Sequence, residues 1–372
     1  MKQILINPFL LTGYEGDKYF CDRDEETKKI TEALINGRNL TLISPRRMGK
    51  TGLIHHVFHH LEEQQRASCF YLDIYQTHSL HDFVQLFAAA IIGSLDTKSQ
   101  KLMNKVFSFF KSIRLILTTD SLSGAPQLTF DLAKDKTEES LKEIFAYLVD
   151  SGKVCYIAFD EFQQITNYPE KGVEALLRSY IQRLTNVHFV FSGSQKHVME
   201  NLFTSASRPF YQSTQLLQLK EIGESDYQLF AQNLFEEGNK KITTEATVWV
   251  YQVVHGHTWY VQVLFNRLYA LQQPLVDIAQ AEKILANVLE ENEVTYLTYG
   301  KLITAKQLAL LKAIAAEGSV SEPTASTFIG KYNLGATSTV SASLKSLLAK
   351  ELLFDNRGSY FVYDRFFSLW LK

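Results

Sequence analysis

The chain has 372 residues, 46% hydrophobic and 21% charged, a composition of globular proteins with room for two or three domains. Its formal net charge is −2 and its pI is about 6.6, so no global basic excess argues for a nucleic-acid binder, a local patch aside. Cys21, Cys69 and Cys155 stand apart with no CxxC pair, which excludes a zinc ribbon and fits small core residues of a reducing cytosol. Met1-Lys2-Gln3-Ile4-Leu5 lacks the pattern of a signal peptide, and no apolar run approaches the roughly 20 residues of a membrane span, so a cytoplasmic protein with no membrane partner is expected.

In chain order, the first strand is predicted at Asn39–Ile43, after a turn signal at Gly37, and a helix follows from Lys50 to about Gln65. Further strands are predicted at Cys69–Ile74, Val154–Phe159, Val187–Phe191 and Gln215–Leu219. Short continuous apolar strands alternating with helices describe a parallel sheet covered on both faces. About eighty residues separate the second and third strands. In that gap Asp82 to about Phe110 has a helical pattern, and Arg114–Thr118 and Leu128–Leu132 flank Ser123-Gly124-Ala125-Pro126 as a hairpin inserted at the sheet edge. A helix is predicted over Thr137–Asp150, with Thr137 as its N-cap.

Beyond about Lys220 no strand pattern is visible, and 224–294 reads as three or four amphipathic helices punctuated by Gly256 and Pro274. Helices at Lys306–Ala316, Ser326–Tyr332 and Ser338–Lys350 precede Leu352–Val362, two short strands around Asn356-Arg357-Gly358. Three helices and then a hairpin is the order of a winged helix. The expected domains are 1–220, a core with an insertion at about 96–136, then 221–300, all helical, and 301–372, the winged helix.

Ser44-Pro45-Arg46-Arg47-Met48-Gly49-Lys50-Thr51, followed by Gly52, leaves a strand and enters a helix. This is the context of a phosphate-binding loop. Its backbone N–H groups curl around phosphate oxygens, the lysine neutralises the β and γ phosphates, the hydroxyl ligates magnesium, and the helix N-terminus faces the anion. Gly49, Lys50 and Thr51 match the pattern; Ser44 stands where a glycine is usual, held extended by Pro45. The apolar strand Tyr156–Phe159 ends in Asp160-Glu161. There Asp160 is expected on the magnesium and Glu161 as the general base on the attacking water. A base adjacent to that Asp separates the chain from GTPases and kinases. Ser192 and Ser194 follow the fourth strand, expected between the loop strand and the Asp-Glu strand; they either sense the γ phosphate or the lytic water, or cap the turn.

With these motifs the chain resembles the archaeal and bacterial P-loop ATPases of the STAND class, relatives of AAA+ and origin-recognition ATPases. The resemblance spans nearly the whole chain. It includes Asn7-Pro8-Phe9 with Phe20-x-x-Arg23-x-x-Glu26, similar to a box lying over the adenine, and Pro45–Thr51, Asp160–Gln163, Ser192–Ser194, Arg208–Tyr211, the Gly256 region and Val362–Phe367. It implies an α/β, parallel-sheet P-loop NTPase core of the ASCE/AAA+ kind, a helical lid and a winged helix. ATP and Mg2+ are the implied ligands. Slow ATP hydrolysis driving a conformational switch is the implied activity, with a homo-oligomer or a protein partner receiving the output. Relatives carry an arginine after Pro-Leu-Tyr-Gly; here Gln212 and Ser213 follow Pro209-Phe210-Tyr211, and Arg208 lies upstream, as an arginine finger or as a surface residue. The lid's Gly-x-Pro is Gly256-His257-Thr258.

His55, His56, His59 and His60 form two i, i+4 pairs with zinc-ligand spacing, but no nearby Glu or Cys completes a set. Residues 301–372 hold nine Lys/Arg against five Asp/Glu. Ser338, Ser341, Lys345 and Lys350 on the third winged helix face outward, the alternative being a DNA-binding regulator that holds ATP structurally.

Overall fold

The computed structural model describes residues 5–64, 67–92, 95, 109–119, 126–356 and 358–372. It divides into two compact units: Thr12–Glu221, and Met1–Leu11 with Ile222–Lys372.

The first unit is built on β1 (Leu40–Ile43), β2 (Ser68–Asp73), β5 (Cys155–Asp160), β6 (Val187–Gly193) and β7 (Gln215–Gln218). All pair in parallel, in the order β2-β5-β6-β1-β7. The strand after the phosphate loop's own strand in space is thus β6, between β1 and β5, as expected for the Ser192 strand. Alternation along the strands splits the core into two chemically different faces. Ile157, Phe159, Phe189 and Phe191 point to one, packed with α3 (Leu80–Ile91) and α4 (Thr137–Asp150). Tyr156, Ala158, Val190, Leu40 and Leu42 point to the other, against α1 (Asp24–Ile35) and α2 (Lys50–Glu63). Leu53, Ile54 and Val57 of α2 pack on this second face, and the N-terminus of α2 lies at the strand ends, where Thr51 meets Asp160. The remaining helices of this unit are α5 (Val173–Ile181) and α6 (Lys196–Thr204).

The inserted hairpin departs from expectation. β3 (Ile113–Thr119) and β4 (Pro126–Leu132) pair antiparallel as a separate two-stranded sheet rather than extending the edge of the large one. The turn between them and most of the helix predicted beyond Ile91 fall outside the described residues. Thr137 is not an N-cap: it is the first helical residue, and its hydroxyl donates to the Lys134 carbonyl at 2.8 Å.

The second unit contains α7 (Glu224–Glu237), α8 (Thr244–Val253), α9 (Thr258–Tyr269), α10 (Ile278–Glu291) and α11 (Glu293–Lys301). Two residue-pair strands missed by the sequence reading, β8 (Lys241–Ile242) and β9 (Leu275–Val276), tie its loops in parallel. The winged part follows as α12 (Ala305–Glu317), α13 (Ser326–Tyr332), α14 (Thr337–Ala349), then β10 (Leu353–Asn356) and β11 (Ser359–Val362), paired antiparallel. A capping box of Thr304 and Gln307 starts α12, and an isolated antiparallel bridge joins Val320 to Tyr360 of β11. The last helix, α15 (Arg365–Trp370), sets Phe366 edge-on against Tyr260 at 4.8 Å and Phe367 against Tyr296 at 5.3 Å. The winged part is therefore joined to α9 and α11 by aromatic packing. No helix among the described residues is long and apolar enough to cross a membrane.

Candidate nucleotide site

The loop between β1 and α2 has the backbone its sequence suggests. Gly49 sits in the left-handed region at φ 90° and opens α2, and Arg47 is left-handed at φ 66°. Left-handed residues in a loop that enters a helix turn N–H groups to one side, as in anion-binding loops. The Lys50 ammonium is buried and donates to the Ser44 carbonyl at 3.0 Å and the Pro45 carbonyl at 3.1 Å, with the Ser44 hydroxyl at 3.5 Å. Burial lowers the affinity of Lys50 for its proton, opposed by the charges of Asp160 and Glu161. Arg46 lies over the Tyr75 ring at 5.4 Å, and Arg47 is exposed. The Met48 side chain belongs to the core face shared with Leu53, while its carbonyl accepts from Arg23 Nη2 at 3.3 Å. A methyl at Gly52 would meet the Phe20 ring at an ordinary 3.6 Å, so this glycine marks no close approach.

Arg23 is buried, left-handed at φ 77°, and paired with Glu26 at 3.1 Å. It fastens the start of α1 to the phosphate loop. The other half of the N-terminal box lies elsewhere: Asn7 donates to the Asn266 carbonyl at 2.8 Å, Asn266 returns a bond to the Phe9 carbonyl at 2.7 Å, and Phe9 is buried among Phe230, Phe235, Phe265 and Tyr269. Those partners belong to the second unit. The two pieces read as one box in the sequence thus serve different units.

Thr51 donates to Asp160 Oδ2 at 2.9 Å, and the Tyr71 hydroxyl donates to the same oxygen. Asp73 stands opposite Asp160 in the β2–β5 register. Burial first, then the charges of Asp160 and Glu161, raise the Asp73 carboxyl above its usual range, against the Tyr75 amide that bonds it. The Thr51 and Tyr71 hydroxyls thus converge on one oxygen of Asp160, with Asp73 beside it on β2, oxygen donors of the kind a hard divalent cation such as magnesium takes. Tyr71 and Asp73 were not singled out from sequence. The signal was a period of two along β2; their significance depends on β2 lying beside β5, which no local pattern encodes.

Glu161 has a left-handed backbone at φ 54°, unusual for a residue with a side chain. The Ser194 hydroxyl donates to its Oε2 at 2.7 Å, and the Gln163 amide donates to the same oxygen. Gly193 explains how Gln163 fits: a Cβ there would lie 2.3 Å from Gln163 Oε1 and 2.6 Å from Met199 Cγ. Gly193→Ala should therefore destabilise the fold by about 1–3 kcal/mol, read as a lowered denaturation midpoint at unchanged slope. The two candidate serines part company. Ser194 touches Glu161, whereas Ser192 is fully buried on the α2 face of β6, its hydroxyl unpartnered among the described residues.

Behind Glu161, Phe162 packs with Phe191, Phe203 and Phe210 at 4.6, 6.0 and 5.5 Å. The Pro209-Phe210-Tyr211 stretch is thereby anchored beneath the Asp-Glu strand. Arg208 donates from Nη2 to Glu174 Oε1 at 2.6 Å, and burial raises the Glu174 carboxyl above its usual range in spite of that partner. Arg208 is thus engaged at the start of α5.

Similar folds among solved structures include a Walker-type ATPase of Pyrococcus abyssi (18% identity, TM-score 0.67, 98% of this chain and 99% of that one), the Orc1 protein of Aeropyrum pernix in complex with DNA (14%, 0.55, 98% and 96%), and the Aeropyrum pernix ORC2 protein in ADPNP–ADP complexes (13%, 0.54, 94% and 92%). A search of curated proteins finds no match. A family model described as "probable winged helix domain" matches residues 294–372, and one described as "ATPase domain predominantly from Archaea" matches residues 20–264. Parallel sheet, phosphate loop and Asp-Glu strand end agree with the second match, and the chain belongs to this family of ATPase domains found predominantly in Archaea.

Proposed function

We propose that the protein binds MgATP at the β1–α2 loop, hydrolyses it slowly, and uses the cycle as a conformational switch, the reading that its STAND-class resemblance carries. Three modules divide the work: a core over 1–220, of which Met1–Leu11 pack with the helices beyond 221 instead, a helical lid over 221–300 and a winged helix over 301–372. The observation that carries the reading is the join of Thr51 to Asp160 at 2.9 Å beside a buried Lys50 whose ammonium bonds the Ser44 and Pro45 carbonyls and the Ser44 hydroxyl.

In this mechanism Lys50 leaves the Ser44 and Pro45 carbonyls for the β and γ phosphates, a charge-assisted exchange. Backbone amides from Arg46 to Thr51 hold the phosphate oxygens. Thr51 and Asp160 would hold Mg2+, which when bound neutralises charge developing on the phosphoryl oxygens. Glu161 takes the proton of the attacking water. Ser194 and Gln163 both bond Oε2, so Oε1 is the oxygen left to accept it. Arg23 keeps the loop in place through Met48. Arg208, paired with Glu174, acts as a strut for the Phe210 loop; a role as arginine finger requires release from that pair.

A DNA-binding regulator is the second reading, favoured by the winged helix. Ser338, Ser341 and Lys345 are exposed on α14, but the Lys350 ammonium bonds the Leu302 carbonyl at 3.1 Å, leaving a weakly basic face. The switch is tested by sizing the full chain with ADP and with a non-hydrolysable ATP analogue, each with magnesium. The analogue should change the hydrodynamic radius or produce a homo-oligomer, and ADP should not. Identical elution in both states, with binding verified separately, contradicts the switch.

A further inference from the structure

The histidine pairs on α2 gain in three dimensions the third ligand they lack in sequence. Asp17, on the short turn Asp17–Tyr19, places Oδ1 3.3 Å from His56 Nδ1 and 3.1 Å from His60 Nε2. The three ligand atoms lie within 4.8 Å of one another. We propose that Asp17, His56 and His60 form a site for a zinc-class divalent cation, separate from the magnesium position at Thr51 and Asp160.

Zinc binds imidazole nitrogen and carboxylate oxygen at about 2.0–2.2 Å, and two ligands of a tetrahedron with such bonds stand roughly 3.3 Å apart. Both edges from Asp17 already have that length. Closing the third edge requires only a rotation of His60, a surface side chain one-third exposed. Two imidazoles and one carboxylate select zinc and its neighbours in the transition series over magnesium, which prefers oxygen donors throughout. Water completes the fourth position on the solvent side, where the Asp17 side chain is 60% exposed.

The surroundings orient the ligands. Phe20 stacks on the His56 ring at 4.2 Å and 16°, fixing its plane. The Tyr14 hydroxyl bonds Asp17 Oδ1 at 2.7 Å and lies 3.0 Å from His56 Nδ1. On metal binding that nitrogen gives its lone pair to the cation and Tyr14 remains the outer donor to the carboxylate, the arrangement common to such sites. His59 is directed instead to Glu63, at 3.2 Å. The consequence is local: the cation staples the segment carrying Tyr14 and Phe20 to the helix that leaves the phosphate loop. Arg23, which holds the Met48 carbonyl, lies next along that segment.

The test uses the full chain, stripped with a chelator and dialysed, titrated with zinc chloride in excess magnesium and without nucleotide. One zinc per chain should bind and raise the melting temperature. Asp17→Asn and His60→Ala, both at surface positions, should each weaken binding at least about tenfold and abolish the thermal shift. Asp160→Asn should leave zinc binding unchanged, which separates the site from the magnesium position. Absence of zinc uptake, or uptake equal in the Asp17 and His60 variants and the parent, overturns the proposal and leaves an ordinary hydrogen-bonded Tyr14–Asp17–histidine cluster.

Discussion

Glu161→Gln should bind MgATP as tightly as the parent and turn it over about 10²–10⁴ times more slowly, the range for loss of a positioned general base. The substitution keeps size and leaves an oxygen to accept from Ser194, so the geometry at Oε2 survives. What disappears is the capacity to take a proton. The left-handed backbone at φ 54° is no harder for Gln than for Glu, so folding is unaffected. Equilibrium binding of a fluorescent ATP analogue and single-turnover hydrolysis separate the two effects. A Gln variant as fast as the parent assigns the base elsewhere.

Lys50→Ala should weaken ATP binding by roughly a hundredfold or more. Hydrogen bonds to charged groups each contribute about 1.5–3 kcal/mol, and every 1.4 kcal/mol is tenfold in affinity. The ammonium also bonds the carbonyls at the head of the loop, at 3.0 and 3.1 Å. Removing it leaves the Ser44 and Pro45 carbonyls without this donor, and melting of the variant, followed by circular dichroism, shows whether the loop is all that changes. Calorimetric titration with MgATP reads the loss. Retention of parental affinity would place the nucleotide away from this loop.

Much of this architecture was legible because its signals are local. Five apolar runs, each a few residues long, became the five parallel strands, and Gly49-Lys50-Thr51 together with Asp160-Glu161 became neighbours at their ends. Other features depend on pairs distant in sequence. Tyr71 reaches Asp160 only because β2 adjoins β5. Gln163 reaches Glu161 only because residue 193 has no side chain. Asn7-Pro8-Phe9 looked continuous with the Arg23 box, yet its amide and ring are satisfied by α9 and α7, an outcome decided by packing rather than pattern. Thr137 was misplaced by one position because its hydroxyl bonds backward to Lys134 instead of forward into the helix. The hairpin's separation from the main sheet likewise leaves no mark in its alternation. Asp17 carries no motif at all; α2's i, i+4 histidines acquire a carboxylate only in the fold.

The proposed activity is hydrolysis of ATP with magnesium at the β1–α2 loop. Phosphate release from γ-labelled ATP by the purified full chain, with magnesium and with chelator, tests it most directly when the Lys50→Ala variant is run beside the parent. Slow, magnesium-dependent release by the parent and none above background by the variant is the expected result. Release that persists in the chelator, or that is equal in parent and variant, contradicts it.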